Sequence, residues 1–238
     1  MNPEELHNEI VAYCRANTNE ALIKKYSRYF KEGVYDAYGL SMDLINLKIK
    51  EILSRKDIDF QVIRAASKLL VKSQKYEEPS FALLFYKPFV KQFDRGVFSD
   101  LTVWYETGIN NWAHSDGICG ELLFPLLKKN IISYTDLKPW ITAKNKFQRR
   151  AVPVSLIKTL KSTNDFGPYL KMIEPLMSDP EREVHQGAGW FLREAWKLRR
   201  EIAEEFLLKW KDTSPRLIFQ YACEKMNVEE KMKFKRTK

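Results

Sequence analysis

The sequence predicts an all-α protein, an α-solenoid built from antiparallel HEAT-like helical repeats. Apolar residues recur at helical spacing along almost the whole chain, whereas the strict alternation typical of strands is nowhere sustained. Glycine and proline number only 9 and 10 among 238 residues, which disfavours an all-β chain full of turns. We therefore expect about a dozen helices of roughly 10–18 residues, paired across short loops within one domain over residues 1–238.

The individual helices follow from local signals. Residues that favour a helix start occur in "TNEA" (18–21), "EEPS" (77–80) and "SPRL" (214–217). Apolar spacing predicts helices over 44–53, 60–71 and 81–93, then over 145–160 and 182–200. Another helix is expected to begin where "NWAHSD" (111–116) meets the apolar run "GICGELLFPLL".

Charge and cysteine content limit the class of function. The formal net charge of +9 favours a polyanionic partner, either nucleic acid or an anionic membrane surface. Three distant cysteines without a CxxC form neither a disulfide framework nor a zinc signature, which favours a reducing compartment. The acidic, polar start is unlike a signal peptide, and no apolar stretch approaches the roughly 18 residues of a membrane span. We expect a soluble intracellular protein without a membrane segment.

The helix over 182–200 places a tryptophan among cations. One face carries only apolar residues: Ala188, Phe191, Leu192, Ala195 and Leu198. The opposite face carries Trp190, Arg193, Lys197 and Arg200. Trp190 either packs on a neighbouring helix or loop, or forms a platform for nucleic acid while Arg193 and Lys197 neutralise phosphates. Gly187 and Gly189 permit close approach of another backbone, which also suits ordinary helix packing.

The segment "NWAHSD" sets Trp112 and Asp116 four positions apart. Ser115 or Asp116 is a good N-cap for the apolar helix that follows. Alternatively Asp116, at the edge of the buried face, pairs with a cation or stabilises a developing positive charge. The three histidines show no metal-ligand spacing, so no metal site is expected.

Two further segments carry candidate cations. Arg149 and Arg150 open the helix over 145–160, where the helix dipole favours anions, so each needs a carboxylate or a phosphate as partner. Both partners remain open for Arg150. The segment 24–33 interleaves basic residues with aromatic ones such as Tyr29, which suits contact with a nucleic-acid strand or an ordinary amphipathic helix.

Taken in order, four stretches resemble the DNA-alkylation-repair family of HEAT-like-repeat glycosylases, the AlkD-like proteins. They are "RYFKEG" (28–33), "NWAHSD" (111–116), "NKFQRRAV" (145–152) and "QGAGWFLREAWK" (186–197). The likeness extends over roughly residues 20–225. The last stretch is the most specific, and the order and separations of all four carry the resemblance.

The resemblance implies a fold, a reaction and a set of site residues. It implies a concave, positively charged α-solenoid that wraps duplex DNA and, without metal or other cofactor, hydrolyses the N-glycosidic bond of cationic alkylpurines such as 3-methyladenine and 7-methylguanine. Asp116 matches the catalytic carboxylate, and Trp112 and Trp190 match the aromatic walls of the cleft. Arg150 matches the arginine that contacts DNA beside the lesion, and Tyr29 matches the cleft tyrosine. The expected protein is a cytoplasmic monomer, associated with the bacterial nucleoid while acting.

Two other functions remain open, and departures from the family pattern favour the first of them. Asn111 stands where active relatives often have a second tryptophan, Phe147 replaces a frequent tryptophan, and 33–42 lacks the usual turn. One alternative is a non-catalytic HEAT-repeat module that binds branched or distorted DNA, as some members of the wider superfamily do. The other is a HEAT-type scaffold for an acidic protein. If Asp116 were paired with an arginine deep under the surface, away from any groove, the glycosylase hypothesis would fail.

Overall fold

The computed structural model describes residues 1–30 and 35–237, and these residues contain helices and no strand, so the predicted all-α class is confirmed. Fourteen α-helices lie in the described ranges: α1 (Pro3–Ala16), α2 (Glu20–Ser27), α3 (Met42–Leu53), α4 (Phe60–Leu70), α5 (Glu77–Tyr86), α6 (Arg95–Thr107), α7 (Trp112–Ile118), α8 (Phe124–Lys128), α9 (Lys146–Leu156), α10 (Gly167–Ile173), α11 (Arg182–Leu198), α12 (Arg200–Trp210), α13 (Arg216–Ala222) and α14 (Val228–Met232). Four 3₁₀ segments and one π turn join them: Lys87–Gln92, Cys119–Leu123 (π), Tyr134–Thr142, Lys158–Ser162 and Glu174–Ser178. None of the described helices is long and apolar enough to span a bilayer.

Contacts divide the chain into two compact units, Met1–His114 and Ser115–Lys238, and the single domain stays a prediction. In the first unit α4 packs on α1 and α5, and α5 also contacts α3. Its core contains fully buried side chains such as Leu6, Ile10, Ile63, Phe81 and Trp104. Each such side chain removed from water stabilises the fold by roughly 1.5–3 kcal/mol.

Most helix boundaries agree with the local signals. Asn19 caps α2 and Pro215 precedes α13, as the start signals predicted. The helices expected over 44–53, 60–71 and 182–200 are α3, α4 and α11. The helix expected over 81–93 is interrupted: α5 ends at Tyr86 and a 3₁₀ segment follows, because Pro88 lacks the N–H of a continuing α-helix.

A buried carboxylate organises the loop before α3. Glu77 Oε1 accepts hydrogen bonds from the amides of Gly39 (2.7 Å) and Leu40 (3.1 Å), while its Oε2 accepts from the amide of Tyr38 (2.8 Å). Gly39 has φ +81°, a left-handed conformation that places consecutive amides around one anion. Residues 31–34, which end the basic segment 24–33 and begin the stretch 33–42, lie outside the described residues.

The second unit is built around α11, which packs on α9 and α13. Its amphipathic face is buried as expected at Ala188, Phe191, Leu192 and Ala195. Leu198 was expected on that buried face as well, but its side chain is 43% exposed because α11 ends there and turns into α12. At Gly189 the backbone of α13 comes close enough that only a glycine fits between the helices.

Gly189→Ala is expected to destabilise the protein by about 3 kcal/mol. A Cβ at position 189 would lie 2.6 Å from both the Ile218 carbonyl oxygen and Tyr221 Cβ, so the backbone of α13 must move. Urea unfolding followed by circular dichroism measures the change. Gly120→Ala is the control: its Cβ would meet only the flexible end of Lys158, at 3.4 Å, so we expect no loss. Equal stability of both variants would contradict the packing role of Gly189.

A π turn interrupts the helix that carries Asp116. It covers Cys119–Leu123, between α7 and α8, and Pro125 lies just after it. Pro125 has no N–H, so it cannot donate to the carbonyls one helical turn before it. The carbonyl of Gly120 instead accepts a hydrogen bond from Lys158 Nζ at 2.8 Å.

Candidate functional site

Asp116 lies inside α7, not at its N-cap. The helix begins at Trp112, where the Asn111 side chain accepts a hydrogen bond from the His114 amide at 2.9 Å. The interpretation of Ser115 or Asp116 as N-cap is therefore wrong, because Asn111 caps the helix, four residues before Ser115. Ser115 is buried, and its hydroxyl donates to the Phe147 carbonyl at 3.0 Å.

Asp116 forms a bidentate ion pair with Arg150 of α9. Arg150 Nε donates to Oδ1 and Nη2 donates to Oδ2, both at 2.8 Å, while Nη1 donates to the Glu183 carbonyl at 2.7 Å. Burial lowers the pKa of Arg150, but hydrogen bonding to Asp116 and its charge outweigh burial, so the pKa lies above its ordinary value. Arg150 thus stays charged and has the carboxylate partner, one of the two that the sequence left open.

The two side chains of this pair differ in exposure. The Arg150 side chain is 7% exposed, whereas that of Asp116 is 18% exposed. A carboxylate offers about four lone-pair positions, and the guanidinium occupies one on each oxygen. The other lone-pair positions and the exposed edge of the carboxylate remain open to a ligand. Asp116 is therefore an accessible anion of fixed orientation, although Arg150 offsets part of its charge.

The other predicted arginines also have carboxylate partners. Arg149 makes a bidentate pair with buried Asp179, at 2.6 and 3.1 Å, and its Nη1 donates to the Ala143 carbonyl at 2.8 Å. Arg193 pairs with Glu194 at 3.0 Å and with Glu224. These guanidinium groups hold elements of the second unit together, and binding a phosphate would require them to share or exchange partners.

Trp190 borders a cavity of about 760 Å³ in the second unit. The cavity is lined by three lysines, one glutamate and four apolar side chains: Lys158, Lys161, Lys197, Glu194, Phe124, Ile157, Trp190 and Leu198. The indole is half-buried, one helical turn beyond Gly187, whose Cβ would lie 3.0 Å from Arg150 Cγ. Trp190 and the Asp116–Arg150 pair therefore belong to the same packed group of helices, α7, α9 and α11. Lys197 is exposed and pairs with Glu194 at 2.7 Å.

Trp112 and Tyr29 lie in the first unit and are both exposed. The indole of Trp112 stacks on Phe30, with ring centroids 5.8 Å apart, and Phe30 stacks in turn on Tyr35 at 4.7 Å. The Tyr29 hydroxyl accepts a hydrogen bond from Arg28 at 3.0 Å. Phe30 belongs to the basic and aromatic segment that the sequence indicated, although only Tyr29 of that segment was taken as a site residue.

His114 is buried as a neutral side chain. Its Nε2 lies 2.9 Å from both the Tyr76 carbonyl and the Ser80 hydroxyl, and its Nδ1 lies 2.7 Å from the Asn111 amide nitrogen. These partners assign the proton to Nε2 and leave Nδ1 as acceptor. Burial lowers the pKa of His114 to about 4, and the bond to the Tyr76 carbonyl offsets only part of that effect. Across the described residues, no group of three or more His, Cys, Asp or Glu is placed to hold a metal.

Stability should fall with acidification in a way that depends on His114. Its pKa is about 4 in the folded state against an ordinary 6.5, so the unfolded chain binds more protons between these values. The neutral, buried His114 contributes about 3 kcal/mol to the free energy of unfolding. This contribution is fully present above pH 6.5 and is lost as the pH falls to about 4. Urea unfolding at neutral pH and at pH about 4 measures it. In the His114→Gln variant the free energy of unfolding should lack this part of its pH dependence. An identical pH dependence in both proteins would contradict the prediction.

Comparisons with known proteins agree with this architecture. The family described as DNA alkylation repair enzyme matches residues 10–226. A solved structure described as a predicted DNA alkylation repair enzyme from Enterococcus faecalis superposes with a TM-score of 0.73 at 15% identity, covering 89% of this chain and 98% of that one. The crystal structure of AlkD2 from Streptococcus mutans gives 0.57 at 18% identity, covering 87% and 100%. The search of curated proteins found no match.

Proposed function

Because the chain belongs to the DNA alkylation repair enzyme family, we propose that it hydrolyses the N-glycosidic bond of cationic alkylated purines, of the 3-methyladenine and 7-methylguanine type, in duplex DNA. The observation that carries the proposal is the Asp116–Arg150 pair, which holds a partly exposed carboxylate in a fixed orientation beside the helix of Trp190. The excess of positive charge supports a polyanionic partner.

The chemistry requires an anion more than an acid. An N-alkylated purine already carries positive charge, so it departs as a neutral base when the C1′–N bond breaks and its electron pair goes to the purine. The sugar is left electron-poor and oxocarbenium-like, and a nearby carboxylate stabilises it. Water then forms the new C1′–O bond and gives its proton to solvent. In this proposal Asp116 is the catalytic carboxylate and faces the sugar with the oxygen positions that Arg150 leaves free.

The remaining candidates take binding roles in this proposal. Arg150 is a positioning residue, since its three guanidinium nitrogens fix Asp116 and the backbone of α11. Trp190 holds the deoxyribose and nearby backbone by packing, and Trp112 and Tyr29 of the first unit supply further aromatic contacts to DNA. Of the cations predicted at the DNA surface, Arg149 and Arg193 act mainly through the helices that they join, and Lys197 lies at the rim of the cavity. The proposed enzyme acts as a monomer.

A non-catalytic module for branched or distorted DNA is the second candidate. The observation that favours it is that both oxygens of Asp116 already accept hydrogen bonds from a buried arginine, which reduces the negative charge available to a sugar. Asn111, as the cap of α7, occupies the position where a second tryptophan was expected in active relatives.

One experiment separates the two candidates. Duplex DNA methylated at purine nitrogens is incubated with the protein, and released 3-methyladenine and 7-methylguanine are quantified by chromatography. The glycosylase proposal expects base release above the spontaneous rate. Absence of release, together with tighter binding of junction or bubble DNA than of plain duplex at one stated salt concentration, would favour the non-catalytic module.

A further inference from the structure

We propose that the cavity beside Trp190 binds one nucleotide of a DNA strand, with Lys158 and Lys161 holding its phosphate. This inference rests on the proposed action on DNA and adds the groups that seat the strand. Three lysines against one glutamate leave the cavity lining with an excess of two positive charges. An anion with a flat apolar portion complements such a lining.

Lys158 and Lys161 differ from the predicted arginines in having no carboxylate partner among the described residues. Lys158 Nζ donates to the Gly120 carbonyl and lies 5.3 Å from the Phe124 ring centroid. An ammonium has three N–H donors, so two remain for a phosphate. Lys161 has no ion pair in the described part of the chain and is exposed at the rim. Neither lysine must give up an ion pair to bind DNA.

The rest of the cavity suits the uncharged part of a nucleotide. Phe124, Trp190 and Leu198 supply its apolar wall. Glu194 already accepts hydrogen bonds from Arg193 at 3.0 Å and Lys197 at 2.7 Å, so its charge is balanced before any ligand arrives. A base or deoxyribose can therefore pack against the aromatic rings without facing an unpaired carboxylate.

The position of Lys158 relates this seat to the candidate catalytic carboxylate. Lys158 Nζ donates to the carbonyl of Gly120, which lies in the π turn that directly follows the helix of Asp116. A phosphate on Lys158 would thus lie beside the turn that ends the helix of Asp116. The strand would enter the site with its backbone on the lysines and the adjacent sugar toward Asp116.

The test compares the salt dependence of duplex binding in two double variants of equal charge. Lys158→Gln/Lys161→Gln removes the proposed phosphate contacts, and Lys138→Gln/Lys171→Gln removes two exposed lysines of the same unit outside the cavity. Fluorescence anisotropy with undamaged labelled duplex gives the affinity at several salt concentrations. Because the two lysines hold one phosphate, the cavity variant should reduce the magnitude of the slope of log K against log salt by about 1, and the control should leave it near the wild-type value.

Two further results complete the test. Lys158→Arg/Lys161→Arg should restore the slope, since it keeps both cations. Equal slopes for the cavity variant and the control variant would overturn the inference. Because undamaged DNA is used, the outcome does not depend on base release. If the wild-type protein released no base but the cavity variant still showed the reduced salt slope, the glycosylase proposal would be refuted and the inference about the cavity would stand.

Discussion

Asp116→Asn is expected to lower the rate of base release from methylated duplex by about 100- to 1000-fold. The substitution keeps the size of the side chain but removes the negative charge that the proposal places beside the electron-poor sugar. Single-turnover release of 7-methylguanine, followed by chromatography, measures the effect. Release at the wild-type rate would refute the role of Asp116.

The same substitution also leaves Arg150 buried without an anion, which should cost about 3 kcal/mol of stability. A second variant separates this effect from catalysis. Asp100 is likewise buried and accepts a hydrogen bond from Arg64 Nε at 2.7 Å. Asp100→Asn should therefore destabilise the fold to a similar extent yet release base at the wild-type rate per folded molecule. Parallel loss in both variants would assign the effect of Asp116 to folding.

Glu77→Ala is expected to destabilise the protein by about 3–5 kcal/mol. Its buried carboxylate accepts hydrogen bonds from the amides of Tyr38, Gly39 and Leu40. In the variant these three donors lose their common acceptor. Glu77→Gln keeps one acceptor oxygen and should lose less. Urea unfolding measures both variants.

The control for this prediction is Glu205→Ala, since Glu205 is an exposed residue within α12. It should change stability by no more than about 0.5 kcal/mol. If Glu77→Ala were no more harmful than Glu205→Ala, the loop before α3 would owe its conformation to contacts other than the buried carboxylate.

Local sequence patterns predicted the helices well but did not predict which side chains pair with one another. The apolar spacing of α4 and α11 and the caps of α2 and α13 are properties of neighbouring residues, so they can be read from sequence. The Asp116–Arg150 pair joins residues 34 positions apart. The need of Arg150 for a partner followed from its place at a helix start, but the choice between carboxylate and phosphate depended on tertiary packing.

Three features of the structure needed more than local signals. "EEPS" correctly indicated a helix start, but the partners of Glu77 are amides about 38 residues earlier. Asn111 was noted as a departure from the family pattern, while its capping of α7 depended on which of several capping residues precedes the first helical turn. The hydrogen bond of Lys158 to Gly120 depended on a helix irregularity that apolar spacing does not reveal.

That irregularity sets the angular register of the helix that bears Asp116. A π turn holds one residue more than an α turn, so side chains before it are rotated by about 100° relative to an unbroken α-helix. Asp116 precedes the turn, while the buried Leu126 and Leu127 follow it. The carboxylate can meet Arg150 and the leucines can fill the core only because Cys119–Leu123 absorbs this extra residue.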